Sequence, residues 1–293
     1  RIRRLFPHAR RADGHGGVLI AGCGSGQQVA NELRSCASCP VVALDLSARS
    51  VAYAQRRLRQ ALPPGEFARV EFCVGDIGEL TPESFGGRTF GLVVCVGVLH
   101  HLADPAGGLR RLAGLLAPGS GVLRLATYSA LGSAPLLDAV RGFLRDEARS
   151  TRCLYDSDGG LLRRPSRAEL QQLRREVLAL PRDHAIRSLC LQARDFFTTS
   201  GLLDLLFHPL ERTFTLVELA EMLESAGLEP LGVFCHNPHR DRENRRRYRS
   251  TGDGQAQDDG GAAAMPDLAR WHAVESQWPD SFGRMHTVYA QRV

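Results

Sequence analysis

The sequence predicts an α/β fold, in which a doubly wound, mostly parallel sheet carries a helical insertion. Short apolar runs alternate with amphipathic stretches from about residue 17 to residue 129. Three glycines follow the first apolar run in "VLIAGCGSGQQVA", residues 18–30. Continuous apolar runs bounded by turns are typical of strands buried on both faces, and alternation with helices implies parallel pairing.

The order of these segments divides the chain, which we take as one domain over residues 1–293. A core at 14–130 contains the strand-like runs "VLIAG", "VVALD", "VEFCVGD", "FGLVVCVGV" and "GVLRLATY". Residues 131–213 predict helices, forming an insertion or lid. Residues 214–293 complete the sheet, beginning with a helix capped by Thr215 and Glu218. Within this part a strand is expected near 229–235, a solvated or disordered loop at about 236–264 and a last strand in "MHTVYAQRV".

Composition excludes several classes of function. All 37 basic residues are Arg, so Schiff-base and P-loop chemistry based on Lys is absent. The net charge of +5 is mild, and we interpret the Arg content as a compositional bias rather than as a nucleic-acid footprint. No apolar run approaches the ~18–20 residues of a membrane span, so no membrane partner is expected.

The eight cysteines indicate a reducing compartment, because three of them lie in or beside apolar strand-like segments rather than in a disulfide framework. Cys36 and Cys39 form a C-x-x-C pair, but zinc binding would need a second pair. We therefore expect the cytoplasm or a reducing organelle lumen. The chain begins with Arg, so a targeting segment upstream of it is left open.

The glycine loop predicts a nucleotide-binding turn when it is taken with two acids. A dinucleotide loop needs Gly at position 27, where Gln27 stands, and an ordinary tight βα turn is the alternative. Asp45 ends the second apolar run, 23 residues after Gly22, where a carboxylate can accept from both ribose hydroxyls. Asp76, at the end of the third run, can accept from an adenine amino group while Ile77 packs on the ring.

The motifs "VLIAGCGSG", "VVALDLS", "VGDI", "VGVLHHLADP" and "LLAPGSGVL" occur in an order that resembles the class I S-adenosylmethionine-dependent methyltransferases. The resemblance covers about 110 residues and implies a Rossmann-like, seven-stranded sheet with S-adenosyl-L-methionine as cofactor. It implies that the ribose is held at Asp45 and Leu46 and the adenine at Asp76 and Ile77. The segment after the fourth strand that lines the cofactor includes Val96 and Gly97. The residues implied for the methionine part are Ala21, Gly22, Cys23, Gly24, Gly26 and Gln27.

The C-terminal part resembles methyltransferase domains often found behind tetratricopeptide repeats, although this chain shows no such repeats. Two positions depart from the family pattern. Ile20 stands where the family often has an acid, and Gly91 stands where it often has Asp. These departures leave a non-catalytic cofactor-binding protein as an alternative.

Methyl transfer to a hydroxyl or an ammonium needs a base, and His100 and His101 are the candidates, with at least one of the two expected to be structural. Tyr128 ends the fifth apolar run and is expected to face the pocket. On the substrate side, the helical segment supplies Asp195, Phe196, His208 and Arg212, although a buried helix explains this segment equally well. The remaining histidines are scattered, so no metal site is expected.

The sequence favours a small-molecule or protein acceptor. An RNA methyltransferase using the "RRRYR" segment is a less favoured alternative, because "VGVL" replaces the tetrapeptide typical of amine methylation. A nicotinamide-dependent oxidoreductase is the least favoured, given Gln27 and "VLHHLADP". Neither the acceptor nor its methylated atom follows from the sequence.

Overall fold

The computed structural model describes Phe6, Ala9 and residues 16–146, 152–154, 161–207, 210–251 and 265–293. In this part of the chain a single sheet has the strand order β3-β2-β1-β4-β5-β7-β6. Strands β1 to β5 are parallel to one another, and β7 is antiparallel to both β5 and β6. The predicted fold class is therefore confirmed. The seven strands are Val18–Ala21, Val41–Asp45, Val70–Val74, Leu92–Val96, Val122–Tyr128, Leu228–Val233 and Met285–Arg292.

Strand β1 lies at the centre of the parallel part and is buried along its whole length. Its Val18 pairs with Val41 of β2 on one side and with Leu92 of β4 on the other. This register brings the carboxyl ends of β1, β2 and β4 to one edge of the sheet. In open α/β sheets that edge binds ligands.

The helices of the described residues cover both faces of the sheet or form the insertion. They are α1 Gln27–Ser35, α2 Ala48–Ala61, α3 Pro64–Phe67, α4 Pro105–Gly114, α5 Ala130–Arg145, α6 Arg167–Ala179, α7 Ala185–Gln192, α8 Thr199–Phe207, α9 Leu216–Ser225, α10 Pro238–Ser250 and α11 Leu268–Gln277. Short 3₁₀ turns lie at Ile77–Glu79, Pro82–Phe85, Leu99–His101, Arg152–Leu154 and Arg194–Phe197, and the first and third of them follow the ends of β3 and β4.

Alternate residues of β1 pack into two different cores. Val18 and Ile20 join a cluster with α1 and α2, whereas Leu19 and Ala21 join a larger cluster with α4, α9 and α11. The predicted capping box of α9 is present, with the Glu218 N–H donating to Thr215 Oγ1 and the Thr215 N–H donating to Glu218 Oε2 at 2.7 Å. Such caps satisfy N–H groups that a helix leaves unpaired.

Contacts divide the chain into two compact units, and Ser133–Glu211 form the second. This unit consists of helices packed around their own apolar core, which includes Leu173, Val177 and Phe196. The helices predicted there are present at α5, α6 and α8. That the unit acts as a lid stays a prediction.

The prediction of a polar loop was wrong for Pro238–Ser250, because these residues form α10. Asn237 caps this helix, and the ion pair between Arg245 and Asp241 at i, i+4 supports it. Tyr248 is buried against Trp271 of α11, with ring centroids 4.4 Å apart. Contacts with the rest of the chain, among them this aromatic pair and the buried hydrogen bond from Asn244 Nδ2 to the Ser281 carbonyl, thus accompany a helix whose composition suggests only solvation. Residues 252–264 of the expected loop lie outside the described residues.

Cys36 and Cys39 form a disulfide with Cα atoms 5.6 Å apart, whereas the sequence predicted a reducing compartment rather than a disulfide framework. Six further cysteines are free. Among the described residues, no helix is long and apolar enough to cross a membrane.

A buried network joins the ends of β5, β7 and α11. The Ser129 hydroxyl donates to Glu275 Oε1 at 2.6 Å, and His286 Nε2 donates to Glu275 Oε2 at 2.8 Å. Gly132 N–H in turn donates to Ser129 Oγ, so the network also holds the start of α5. Glu275 and His286 have no solvent exposure, so each depends on the other for its polar partner.

We predict that Glu275→Ala lowers the free energy of unfolding by about 3–5 kcal/mol, because it leaves a buried imidazole and hydroxyl unpaired. Glu224→Ala, on an exposed position of α9, should change it by less than about 0.5 kcal/mol. Urea unfolding of both variants measures the difference. Equal losses would show that the network does not stabilise the fold.

Candidate active site

The turn after β1 depends on three glycines in the left-handed region. Gly22, Gly24 and Gly26 have φ values of 82°, 50° and 86°. Side chains other than hydrogen are disfavoured there. A Cβ on Gly22 would also overlap Val98 Cγ2, and one on Gly26 would lie 3.0 Å from Leu58 Cδ1. The third glycine is therefore explained by packing on α2 as well as by its φ.

Gly24 differs from the other two glycines because a Cβ there would meet no atom within 4 Å. The chain at Gly24 therefore borders open space among the described residues. The first turn of α1, which follows directly, has Gly26 at its N-cap and no capping side chain. Its N–H groups are suited to an anion.

The end of β2 holds this turn in place. The N–H groups of Gly22 and Cys23 both donate to the Leu44 carbonyl at 2.8 Å. Gly24 N–H donates to Asp45 Oδ2 at 2.8 Å, and Ser47 N–H donates to Asp45 Oδ1 at 2.9 Å. Since each carboxylate oxygen accepts about two hydrogen bonds, Asp45 keeps acceptor capacity on both oxygens.

A pocket of about 690 Å³ has Leu46, Asp76 and His101 among its lining residues. Asp76 Oδ1 accepts from the Gly78 N–H at 2.7 Å, which leaves Oδ2 available. Ile77 is buried, whereas the neighbouring Leu46 is 70% exposed. An exposed leucine beside a carboxylate suits a ligand that is part aromatic ring and part hydrogen-bond donor.

The ends of β4 and β5 bring the predicted catalytic residues together. The ring of buried His100 lies 4.2 Å from that of Tyr128 and 4.2 Å from that of His101. His101 is only partly buried and lines the pocket next to Asp76. Gly97, just after Val96, has a φ of 74°, and a Cβ there would meet open space.

Arg212 joins this group, because its N–H donates to the His100 carbonyl at 3.0 Å and its Nη2 donates to the Ala103 carbonyl at 3.3 Å. Phe196, Asp195 and His208 are the other predicted substrate-side residues. Phe196 lies fully buried in the core of the helical unit, so the buried-helix alternative describes its side chain. Asp195 lies in the 3₁₀ turn of that unit, and His208 lies outside the described residues.

Sequence reasoning missed a charged cluster on β5. Arg124 is 7% exposed, and its Nη1 donates to Glu32 Oε1 at 2.7 Å while its Nη2 donates to Gln28 Oε1. The signal was present, since "GVLRLATY" places one charged residue inside an otherwise apolar strand. Buried charges need partners, and the i, i+4 pair Gln28 and Glu32 on α1 could have been proposed as the partners.

Cys23 and Cys95, two cysteines near the site, have unreactive thiols. Burial, and then the Asp45 charge, raise the pKa of the Cys23 thiol to about 12. Burial also raises the pKa of Cys95 to about 12. Both thiols stay protonated near neutral pH, so neither is suited to be a nucleophile. Within the described ranges, no group of three His, Cys, Asp or Glu side chains could hold a metal ion.

The unusual Ile20 has a packing reason. Its side chain is 1% exposed in the core formed with α1 and α2, where an unpaired carboxylate would be costly. Gly91 precedes β4 outside the pockets described above. Neither departure alters a side chain that borders the glycine turn.

A family model described as a methyltransferase domain matches residues 19–122, from β1 to the start of β5. This region contains the glycine turn, Asp45, Asp76 and the end of β4. Residues 19–122 are thus a methyltransferase domain, and the resemblance inferred from the motifs is confirmed for this part of the chain. The cofactor that this resemblance implies is S-adenosylmethionine.

The chain is also similar to proteins from two bacteria. The chain is 30% identical over 220 residues to an uncharacterised protein of Synechococcus sp., covering 73% of this chain and 48% of that protein. The structure of PKMT2 from Rickettsia typhi superposes with a TM-score of 0.62 at 15% identity, over 99% of this chain and 51% of PKMT2. A second PKMT2 structure, in complex with AdoHcy, gives a TM-score of 0.61 at 15% identity, again over 99% and 51%. The chain thus spans about half the length of both relatives. The structural likeness shows the fold, and the link to tetratricopeptide-repeat proteins stays a prediction.

We predict that Gly24→Ala lowers the free energy of unfolding by about 1–2 kcal/mol, the cost of its positive φ. Gly22→Ala should cost about 1–3 kcal/mol more, because its Cβ also overlaps Val98. Urea unfolding compares the two variants. Equal losses would mean that Val98 moves aside freely.

Proposed function

We propose that this chain transfers the methyl group of S-adenosylmethionine to a small-molecule or protein acceptor. The observation that carries the proposal is the Asp45 carboxylate, which lies at the end of β2 and hydrogen-bonds the open glycine turn at Gly24. A carboxylate in this position can both fix the turn and accept from a diol.

The residues present fit the cofactor. Asp45 would accept from the two ribose hydroxyls with the lone pairs that Gly24 and Ser47 leave available. Asp76 would accept from the adenine amino group, while Ile77 and Leu46 would pack against the ring. The uncapped first turn of α1, beginning at Gln27, would face the carboxylate of the methionine part.

When bound, S-adenosylmethionine supplies a methyl group already activated by a sulfonium. The protein must then orient the acceptor, exclude water and, for a hydroxyl or ammonium acceptor, remove a proton. We assign the proton to His101, because His101 is partly exposed at the end of β4 whereas the neighbouring His100 is fully buried. His100, fully buried between Tyr128 and His101, would position the ring of His101.

The helical unit remains a proposed cover for the acceptor. Its first helix, α5, begins two residues after Tyr128, and the chain returns at Arg212, which hydrogen-bonds the His100 carbonyl. Both connections of the unit therefore lie at the proposed catalytic residues.

An RNA acceptor is the second candidate, and one observation favours it. The sequence of α10 contains six arginines over 13 residues, and Arg242 and Arg246 are exposed. Exposed basic side chains on one helix are suited to phosphate contacts. The ion pairs that Asp241 and Glu243 form with Arg245 and Arg247 lower the net charge of this helix, so we rank RNA second.

We predict that Asp45→Ala weakens the binding of S-adenosylhomocysteine by about 10- to 100-fold, because two hydrogen bonds to a charged group are lost. The matched control is Asp183→Ala, which removes an exposed carboxylate from the helical unit and should leave the affinity unchanged. Isothermal titration calorimetry measures both variants. An unaltered affinity in Asp45→Ala would exclude the ribose role.

The nucleotide class is tested separately by thermal unfolding. S-adenosylhomocysteine should raise the melting temperature, whereas NADH should not. Equal shifts, or no shift with S-adenosylhomocysteine, would contradict the assignment of the cofactor.

The acceptor class can be measured by incubating the chain with methyl-labelled S-adenosylmethionine and a fractionated cell extract. We expect label in the small-molecule or the protein fraction. Label confined to RNA would support the second candidate. Cofactor binding with no transferred label in any fraction would favour a non-catalytic binding protein.

A further inference from the structure

A second pocket, of about 340 Å³, lies where β4 and β5 end and has no role in the assignments above. We call it the β5 pocket. Val96 of β4 and Ala126 of β5 form one side, and Phe234, Phe282 and Met285 supply most of the remaining apolar lining. Its size and apolar character are suited to a small organic molecule rather than to a polypeptide.

The polar side of the β5 pocket is basic. Arg124 and Arg240 both line it, together with Gln28 and His236. The carboxylate of Glu32 already neutralises Arg124, at 2.7 Å. Arg240 Nη1 donates only to the backbone carbonyl of Asp280, at 3.0 Å, and no carboxylate among the described residues pairs with it. The pocket therefore carries one uncompensated formal positive charge.

Arg124 supplies a second, independent sign of a ligand. Its side chain is more than nine-tenths buried, yet its Nε–H has no acceptor within the described part of the chain. A buried donor without a partner costs about 1–3 kcal/mol. An acceptor atom of a ligand in the β5 pocket would remove that cost.

The β5 pocket also adjoins the residues assigned to the cofactor. Val96 belongs to both, and Gln28 directly follows Gln27 at the start of α1. A molecule in the β5 pocket would thus lie next to the methionine end rather than the adenine end. The reacting methyl group belongs to that end.

We propose that the β5 pocket binds the carboxylate end of a small methyl acceptor with an apolar body. This inference deepens the proposed function and rests on it. One net positive charge suits a monoanion, and the planar guanidinium of Arg240 suits the two oxygens of a carboxylate. The phenylalanines and Met285 suit an aromatic or aliphatic body.

The test uses benzoate and its neutral analogue benzamide as probes, titrated calorimetrically into the protein saturated with S-adenosylhomocysteine. We expect benzoate to bind at least about tenfold more tightly than benzamide, the value of one charge-assisted hydrogen bond. In Arg240→Gln this preference should fall to about twofold or less.

The matched control is Arg246→Gln, which removes the same charge from an exposed position of the same helix and should keep the preference of the unaltered protein. The melting temperature of each variant, measured alongside, verifies that it is folded.

Three results would overturn the inference: no benzoate binding, equal affinity for benzoate and benzamide, or a preference that survives in Arg240→Gln. A fourth is competition between benzoate and S-adenosylhomocysteine, which would make the anion site part of the cofactor site. Titration of S-adenosylhomocysteine alone reports on the proposed function. If that ligand does not bind, the proposed function fails, and benzoate binding to the free protein still tests the pocket.

Discussion

The attachment of the glycine turn to the end of β2 is the interaction on which the site depends. Two N–H groups of the turn reach the Leu44 carbonyl, and a third reaches the Asp45 carboxylate. These bonds can form only because β1 and β2 are parallel and in register, so that both strands end together. The turn is thereby held without any side chain of its own, and its backbone borders open space at Gly24.

The same parallel register places the residues of the two proposed sites along one edge of the sheet. The ends of β1, β2 and β3 carry the residues assigned to the cofactor. The ends of β4 and β5 carry the paired histidines, Tyr128 and the β5 pocket. Val96 at the end of β4 lies between them. A buried ion pair such as Arg124 with Glu32 contributes little net stability. We therefore interpret it as part of a binding surface.

Local sequence accounted well for the parallel sheet, because each strand is a continuous apolar run followed by a turn residue. It failed for α10, where an almost wholly polar segment forms a helix that packs on α11 through Tyr248 and Trp271. It also failed for the Cys36–Cys39 disulfide and left Phe196 open between core and pocket. The aromatic partner of Tyr248 and the core around Phe196 are supplied by other helices, which a local pattern does not specify.

The sequence by itself predicted the fold class and the position of Asp45 at the end of a strand, since glycine and acid positions relative to buried strands are local properties. The cofactor followed from the resemblance of its motifs to a known family. Only the tertiary structure decided which residues meet at the ends of β4 and β5. Arg124, Gln28 and Arg240 are far apart in the chain and come together because β5 lies beside β4 and β7, an order that no local pattern specifies. Long-range packing also decided that His100 is enclosed while His101 borders the pocket.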